Sequence, residues 1–310
     1  MVRVAALDLG TNTFRLLVAE VKPDDILKPL RKAQIITRLG GGFDTETGKI
    51  SPDAIDRAGE ALEKFAKIMR EEKPDAVLAR ATAIVRRASN GDEFLGMASR
   101  LLAVEVDTLP AWEEAALALR GILAYNPPVS RPFITLDIGG GSTELALAGP
   151  GGLEGWVSLQ MGVVELVERV LSDSDPPSAG SLKRCELEIR FCVESARGKL
   201  GAPTGISAII GTGGAATSLA AVSLGLDEYD EAVVQNHRLS YDEVRKLEGR
   251  LALLSFSERG AIFPLGGGRE DVIIPGAIIT RVTLEIFGSE EMLVSDAGLL
   301  EGLALAGAEN

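Results

Sequence analysis

Two apolar stretches of the chain end in the same polar pattern. Residues 4–9 and 133–138 predict buried strands, because apolar side chains run through them almost without interruption. Each stretch carries one aspartate near its end, Asp8 or Asp137, and a turn that contains glycine follows. A second apolar stretch then returns from each turn. The pattern predicts two strand–turn–strand hairpins, and its repetition predicts a chain with two similar halves.

The turns of both hairpins consist of small residues that are suited to anion binding. Glycine lets backbone N–H groups approach a ligand closely, and such turns can surround phosphate oxygens. For the second stretch alone, an ordinary hairpin whose glycines only permit positive φ is an equal alternative. The second copy favours phosphate binding. The predicted phosphate-binding residues of the two turns are Gly10, Thr11, Asn12, Thr13, Gly139, Gly140, Gly141, Ser142 and Thr143.

Carboxylates stand at the edges of these turns. Asp8 and Asp137 precede the turns at equivalent positions, and Glu144 follows the second turn where the first hairpin has Arg15. Carboxylate oxygens of this kind suit a hard, hydrated cation. We therefore predict that Asp8, Asp137 and Glu144 are metal ligands.

A third glycine-rich turn joins an apolar strand to a predicted helix. Its residues are Gly211, Thr212, Gly213 and Gly214. Turns of this kind often bind phosphate or a nucleotide at the N-terminus of the helix, although tight packing alone also explains them.

Two further segments carry charged residues at the starts of predicted helices. Residues 82–90 predict a strand end that opens a helix with Arg86 and Arg87, and paired arginines are commonly a solvated cluster. Residues 109–121 predict a helix with Glu113 and Glu114 in its first turn, where acidic residues ordinarily complement the helix dipole.

A helical wheel distinguishes the two glutamates. Glu113 falls with Arg120 on the side opposite the apolar face, and Glu114 falls on the flank of that face. The apolar face is predicted near Ala115, Leu119, Ile122 and Leu123, and the neighbours of Glu114 on the wheel are Leu117, Ala118 and Gly121. None of these neighbours is cationic, so we expect partial burial to raise the pKa of Glu114 toward that of a general base.

The composition limits the class of protein. Hydrophobic residues make up 46% of the 310 residues, which is typical of a globular protein large enough for two domains. The formal net charge of −13 disfavours nonspecific nucleic-acid binding, so a polyanion has to be attracted locally. The first residues run directly into a strand, and no apolar run approaches membrane-spanning length. We expect a cytoplasmic protein without membrane contact.

The cysteines and the single histidine exclude two kinds of chemistry. Cys185 and Cys192 are seven residues apart on a predicted helix, an axial rise of about 10 Å, which is too far for a disulfide. They are predicted to be packing residues. His237 is the one histidine of the sequence, which leaves little basis for a Ser-His-Asp triad or a histidine-rich metal site.

A proline-rich segment separates the two halves. Residues 125–132 contain three prolines between a predicted helix and the strand of the second hairpin. We predict a hinge there, with one domain over residues 1–126 and a second over residues 127–310. The last helix is expected either in the second domain or packed back on the first.

The paired hairpins resemble those of the superfamily of actin, sugar-kinase and heat-shock-chaperone ATPases. Other segments resemble the exopolyphosphatase/guanosine pentaphosphate phosphatase family within it. The matching residues are Thr82, Arg86, Ala88 and Asn90 in one motif, Glu113, Glu114, Ala115 and Gly121 in another, and Arg269, Asp271 and Gly276 in a third. The resemblance implies an α/β fold with two ribonuclease-H-like domains around a central cleft.

The resemblance also implies roles for individual residues. Arg86 would face the phosphates, Glu114 would be the catalytic glutamate, and residues 211–214 would lie on the nucleotide side of the cleft. Mg²⁺ would be the cofactor. The chain departs from the family pattern at Ile84, at Pro110 and Ala111 where serine and glycine are usual, and at Glu165 and Leu300 where arginine is usual.

These expectations together describe a Mg²⁺-dependent phosphohydrolase that removes terminal phosphate from inorganic polyphosphate or guanosine pentaphosphate, and a homodimer is one expected form. One alternative is a kinase of the same superfamily, but the sequence offers no acceptor-recognition motif. The other alternative is a non-catalytic phosphate or alarmone sensor, which the departures near the expected phosphate contacts leave open.

Overall fold

The computed structural model describes residues 1–23, 26–126, 129–201 and 205–309. The chain forms two compact units, which we call the first and the second unit. The first unit contains Met1–Tyr125 and Gly298–Asn310, and the second contains Asn126–Ala297. The predicted domain boundary between residues 126 and 127 stays a prediction, and Pro127 and Pro128 of the predicted hinge lie outside the described residues.

The first unit is built around a five-stranded sheet. Its elements, in chain order, are β1 (Val2–Leu9), β2 (Thr13–Val21), β3 (Leu27–Ile36), α1 (Pro52–Glu72), β4 (Ala76–Ala81), α2 (Ala83–Arg87), α3 (Gly91–Leu102), β5 (Val106–Thr108) and α4 (Ala111–Tyr125). The strand order is β3-β2-β1-β4-β5. The first three strands form an antiparallel meander, whereas β4 is parallel to β1 and β5 is parallel to β4.

The second unit is built around a six-stranded sheet. Its elements are β6 (Phe133–Ile138), β7 (Thr143–Gly149), β8 (Gly152–Leu159), α5 (Val163–Leu166), α6 (Ala179–Leu200), β9 (Ile209–Thr212), α7 (Gly213–Leu224), α8 (Glu231–Val234), β10 (Arg238–Ser240), α9 (Tyr241–Ala252), α10 (Phe256–Gly260), α11 (Ile273–Phe287) and β11 (Glu291–Val294). A π-helical segment, Val167–Leu171, follows α5. The last helix, α12 (Leu299–Gly307), belongs to the first unit.

The two sheets share one topology. The second sheet runs in the order β10-β11-β9-β6-β7-β8. Strands β6, β7 and β8 form an antiparallel meander, β9 is parallel to β6, and β11 is parallel to β9. Apart from the added β10, this is the arrangement of the first sheet. The structure therefore confirms the predicted α/β class and the predicted repetition of the hairpins.

Local sequence signals account for the start and the buried face of α1. Ser51 precedes the helix, its Oγ accepts a hydrogen bond from the Ala54 N–H group at 3.4 Å, and Pro52 is the first helical residue. The apolar face of α1 packs into the core of the first unit through Leu62 and Phe65, which are fully buried.

Two glycines let α12 pack closely against α4. A Cβ atom on Gly121 would overlap the Gly298 carbonyl, and a Cβ atom on Gly302 would overlap the Leu117 carbonyl. Leu300, where the family usually has arginine, is buried in the hydrophobic cluster that α12 forms with the first sheet. The helix that carries the two candidate glutamates is thus held in the first unit by the last helix of the chain.

The predictions for the cysteines and for membrane spans agree with the structure. Cys185 and Cys192 are free thiols on α6, and burial raises the pKa of the Cys185 thiol to about 12. Across the described ranges, every helix is too short or too polar to cross a membrane.

Candidate active site

The carboxyl ends of the parallel strands bring three predicted segments to one edge of the first sheet. The Thr82 N–H group donates to the Leu9 carbonyl at 3.3 Å, and the Leu109 N–H group donates to the Ala81 carbonyl at 2.8 Å. The first hairpin turn, α2 and α4 therefore all begin at this edge. Ligands of open α/β sheets bind at the carboxyl ends of the strands.

The backbone of the first turn is fixed by its neighbours. The Gly10 N–H group donates to the Thr13 carbonyl at 3.2 Å, and a Cβ atom on Gly10 would lie 2.8 Å from that carbonyl oxygen. The carbonyls of Thr11 and Asn12 accept N–H groups from the loop at residues 37–40, at distances of 2.9 to 3.0 Å. The turn is therefore closed tightly, and its carbonyls face the protein.

The second turn repeats this arrangement. The Gly139 N–H group donates to the Ser142 carbonyl at 2.9 Å, and a Cβ atom on Gly139 would lie 3.0 Å from that oxygen. The N–H groups of Val163 and Val164, at the start of α5, donate to the carbonyls of Gly139 and Gly140 at 3.0 Å each. Equivalent residues thus make the closing hydrogen bond in both units, and the carbonyl at the next position, of Thr11 or Gly140, accepts an N–H group from a neighbouring segment in each.

Both turns leave N–H groups available for a ligand. Within the described part of the chain, the N–H groups of Thr11, Asn12, Gly140 and Gly141 have no protein acceptor. The carbonyls of Thr11, Asn12, Gly139 and Gly140 already accept protein N–H groups, so these donors lie beside carbonyls that are bonded, which favours an anion.

The third glycine turn opens a helix whose N-terminus lacks a side-chain cap. Thr212 occupies the N-cap position of α7, but its hydroxyl donates to the Ala297 carbonyl at 3.0 Å and caps no helical N–H group. Gly213 has a φ of +84°, and a Cβ atom there would lie 2.6 Å from Asp137 Oδ1. Only glycine fits this position, and the first N–H groups of α7 are left for a ligand.

Two of the predicted phosphate-binding residues have structural contacts. Thr143 is fully buried, and its Oγ1 donates to the Met161 carbonyl at 2.6 Å. Gly211 lies inside β9, where a Cβ atom would overlap the Met292 side chain. These contacts explain both residue types, and phosphate binding by either residue stays a prediction.

The structure brings Arg86 and Glu114 into direct contact. Arg86 lies on α2, and its Nη1 donates to Glu114 Oε2 at 2.6 Å and to the Leu109 carbonyl at 2.5 Å. The Glu114 residue is 7% exposed, whereas the Arg86 side chain is 21% exposed. A largely buried carboxylate and a partly exposed guanidinium therefore form an ion pair at the carboxyl edge of the first sheet.

The helical wheel correctly predicted that Glu114 is partly buried, but it did not predict the contact between Glu114 and the Arg86 guanidinium. The wheel considers residues of one helix, whereas Arg86 comes from a segment 28 residues earlier. The premise that Glu114 has no cationic neighbour is wrong, so the argument for a raised pKa loses its basis. The predicted apolar face is also wrong at Leu123, which is 41% exposed.

The departures at Pro110 and Ala111 leave the start of α4 intact. The Pro110 carbonyl accepts hydrogen bonds from the N–H groups of Glu113 and Glu114 at 3.0 and 2.9 Å. In the neighbouring motif, Asn90 has a structural contact, because its side chain exchanges two hydrogen bonds with the backbone of Ile50. Of the residues matched in that motif, Arg86 is the one that reaches Glu114.

A row of oxygen-bearing side chains crosses the second sheet. Asp137 is the register partner of Glu144 on β7 and of Thr212 on β9, and Glu144 is in turn the partner of Ser158 on β8. The Ser158 hydroxyl donates to Glu144 Oε1 at 2.7 Å. Sequence reasoning missed Ser158, although its place in the alternation of β8 marks it as a residue of the same sheet face.

The predicted metal ligands are divided between the units. Among the described residues, no three histidine, cysteine, aspartate or glutamate side chains are grouped to hold a metal ion. Asp137 and Glu144 are neighbours in the second unit, and their oxygen donors suit Mg²⁺. Asp8 is buried in the first unit. The metal-binding role of all three residues stays a prediction.

Comparisons with known proteins agree with one another. The model of the Ppx/GppA phosphatase family matches residues 17–309. Exopolyphosphatase 2 of Mycobacterium tuberculosis is 32% identical, over 99% of this chain and 98% of that protein. An exopolyphosphatase-like protein of known structure has a TM-score of 0.91 and 29% identity, covering 99% of this chain and 98% of that one. The crystal structure of the Aquifex aeolicus Ppx/GppA family member has a TM-score of 0.82 and 30% identity, with coverage of 99% and 98%.

Proposed function

Because the chain belongs to the Ppx/GppA phosphatase family, we propose that it is a Mg²⁺-dependent phosphohydrolase that releases the terminal phosphate of inorganic polyphosphate, of guanosine pentaphosphate, or of both. The name of the Mycobacterium tuberculosis relative supports polyphosphate, and the name of the family supports a phosphatase.

The observation that carries this proposal is the contact between Arg86 and Glu114, 2.6 Å apart at the carboxyl edge of the first sheet. The carboxylate that would accept the proton therefore lies within one hydrogen-bond length of the guanidinium that would bind phosphate. In the proposed reaction, Glu114 orients a water molecule and accepts its proton as the water oxygen bonds to the terminal phosphorus. The terminal phosphoanhydride bond breaks, and the bridging oxygen leaves with the shortened chain.

Arg86 and the backbone donors have the complementary role. The guanidinium is partly exposed, so it can turn toward an equatorial phosphoryl oxygen while it remains next to Glu114. The N–H groups of the turns and of the α7 N-terminus would offset the charge that develops on the transferred group. Asp137 and Glu144, with Asp8 as a further predicted ligand, would hold Mg²⁺, which supplies electrostatic neutralisation of the phosphates.

The test is release of inorganic phosphate from polyphosphate of defined length and from guanosine pentaphosphate, each with Mg²⁺ and with excess EDTA. We expect release from at least one substrate, and we expect EDTA to abolish it. The Glu114→Gln variant is the matched protein control, because it keeps the size and a hydrogen-bonding oxygen of the side chain.

Other outcomes would favour the alternatives. Tight binding of either compound without phosphate release would identify a sensor, and release only in the presence of a small acceptor, with phosphate found on that acceptor, would identify a kinase. Full phosphate release in EDTA would contradict the proposed role of the metal.

A further inference from the structure

Helix α6 presents an apolar, exposed face in the second unit. Leu187 is 53% exposed and Phe191 is 74% exposed, and the two residues are one helical turn apart. The buried residues Cys185, Ile189 and Val193 occupy the opposite side of the helix. A phenylalanine that is three-quarters exposed leaves most of its apolar surface in water, which is unfavourable unless a partner covers it.

The exposed residues form a narrow stripe, which we call the α6 stripe. At about 100° per residue, its members lie within roughly 40° of one line along the helix. They are Gly180, Arg184, Leu187, Phe191, Glu194 and Gly198, and all six are exposed.

The α6 stripe of one copy is complementary to the α6 stripe of a second copy that runs in the opposite direction. Gly180 lies nine residues before position 189 and Gly198 lies nine after it. Arg184 and Glu194 lie five residues before and after that position, and Leu187 and Phe191 lie two before and after. Consider two antiparallel α6 helices related by a two-fold axis that passes between them, level with residue 189. Glycine of one helix would then face glycine of the other, arginine would face glutamate, and leucine would face phenylalanine.

Contacts inside the described part of the chain do not explain why these residue types occupy the α6 stripe. Neither Arg184 nor Glu194 makes an ion pair within the described part of the chain. A Cβ atom on Gly198 would have no heavy atom within 4 Å, so intrachain packing does not require glycine there. A Cβ atom on Gly180 would lie 3.6 Å from Arg184 Nη1, which places the guanidinium over the surface of this glycine.

We propose that the α6 stripe is a two-fold interface between two copies of this chain, with the two α6 helices antiparallel. Leu187 and Phe191 of each copy form the apolar centre, and Arg184 of each copy pairs with Glu194 of the other. The glycines at the two ends leave room for the long arginine side chains to lie between the helices. This proposal does not depend on the proposed phosphatase activity.

An open groove lies next to the place where the partner arginine would arrive. The groove has a volume of about 790 Å³, and its lining includes Arg190, Glu194, Arg197 and Gly198 on α6 and Glu285 and Ile286 at the end of α11. Arg190 at its rim is already paired with Glu285 at 2.8 Å, so Glu194 is the carboxylate of α6 there that is available to a cation. Arg197 also lines the groove and donates to the Ile286 carbonyl at 2.6 Å, so the attraction for the partner arginine comes from Glu194 itself and not from a net charge of the groove.

Exchanging the charges of Arg184 and Glu194 tests the proposed interface specifically. Sedimentation velocity of the full chain, up to about 1 mM, would measure the dimer dissociation constant of the wild type and of Arg184→Glu, Glu194→Arg and the double variant. Each single substitution places two like-charged pairs in the interface, so we expect the dissociation constant to rise by at least about tenfold. The double variant restores both opposite-charge pairs, and we expect it to dimerise like the wild type.

A second pair of variants tests the apolar centre. Phe191→Glu should give a monomer, whereas Leu253→Glu, at a residue that is 79% exposed elsewhere in the second unit, should leave the dimer unchanged. Circular dichroism would verify that each variant is folded. A wild type that is monomeric throughout the concentration range, a dimer that the single charge substitutions do not weaken, or a double variant that stays monomeric would each overturn the proposal.

Discussion

The equivalent rows of residues that cross the two sheets differ in charge. In the first sheet, Asp8 has Arg15 and Arg80 as its register partners on the two neighbouring strands. In the second sheet, Asp137 occupies the same place and has Glu144 and Thr212 as its partners. One aspartate is therefore placed between two cations, and the other is placed beside a second carboxylate.

The two rows differ in charge although the backbones of the two hairpin turns are closed in the same way. The turn after each aspartate is closed by the same hydrogen bond, from Gly10 to Thr13 and from Gly139 to Ser142. In the row of the first sheet two guanidinium groups accompany one carboxylate and disfavour a further cation, whereas two neighbouring carboxylates in the second sheet favour a bound cation. The two units thus present different chemistry on a similar scaffold, with the ion pair of Arg86 and Glu114 in the first unit and the predicted metal ligands Asp137 and Glu144 in the second.

The largest effect is expected at Glu114. Loss of a general base typically costs about 10²–10⁴-fold in rate, so Glu114→Gln should lower kcat by that factor while substrate binding is nearly kept. Glu113→Gln, which changes the adjacent and less buried residue, should lower kcat little. Steady-state phosphate release would measure both. Similar losses in the two variants would contradict the assignment of the base to Glu114.

The next effect separates the two aspartates. Asp137→Asn should weaken Mg²⁺-dependent turnover by about 10- to 100-fold or more, because an amide does not replace the charge of a carboxylate beside a hard cation. If the metal is held mainly in the second unit, Asp8→Asn should raise the Mg²⁺ concentration for half-maximal activity by less than Asp137→Asn does. Titration of activity with Mg²⁺ measures this, and equal shifts would show that the contrast between the rows does not determine metal binding.

Arg86 should affect substrate affinity. Arg86→Ala removes a charged donor at the carboxyl edge, and we expect KM for polyphosphate to rise by about tenfold or more. Arg120→Ala is the matched control, because Arg120 also pairs with a glutamate of the first unit, Glu309, at 2.7 Å. A comparable rise in KM for the control would mean that attraction of the substrate is diffuse.

The smallest effect concerns how the first unit holds α4. Helix α12 follows β11 of the second unit along the chain, but it belongs to the first unit and packs on α4 there. Gly302→Ala would push a methyl group into the Leu117 carbonyl and should destabilise the protein by about 1–3 kcal/mol. Gly249→Ala on α9, where a Cβ atom would meet nothing within 4 Å, should instead stabilise it by about 0.5–1 kcal/mol. Thermal unfolding would measure both changes, and a neutral Gly302→Ala would contradict the close packing.

The sequence by itself determined the features that depend on neighbouring residues. Alternating and continuous apolar runs gave both hairpins, and the glycines after Asp8 and Asp137 gave their turns. Ser51 and Pro52 gave the start of α1. These features are predictable because the interactions that produce them lie within a few residues along the chain.

Only the tertiary structure decided which residues of distant segments meet. The wheel of α4 gave a buried Glu114, but the guanidinium that contacts it comes from α2, which the order of β1, β4 and β5 brings to the same sheet edge. The packing of α12 on α4, two helices far apart in the sequence, likewise has no signal in local periodicity. Contacts of this kind depend on strand order and on the burial of whole faces, and neither is encoded in the pattern of a single segment.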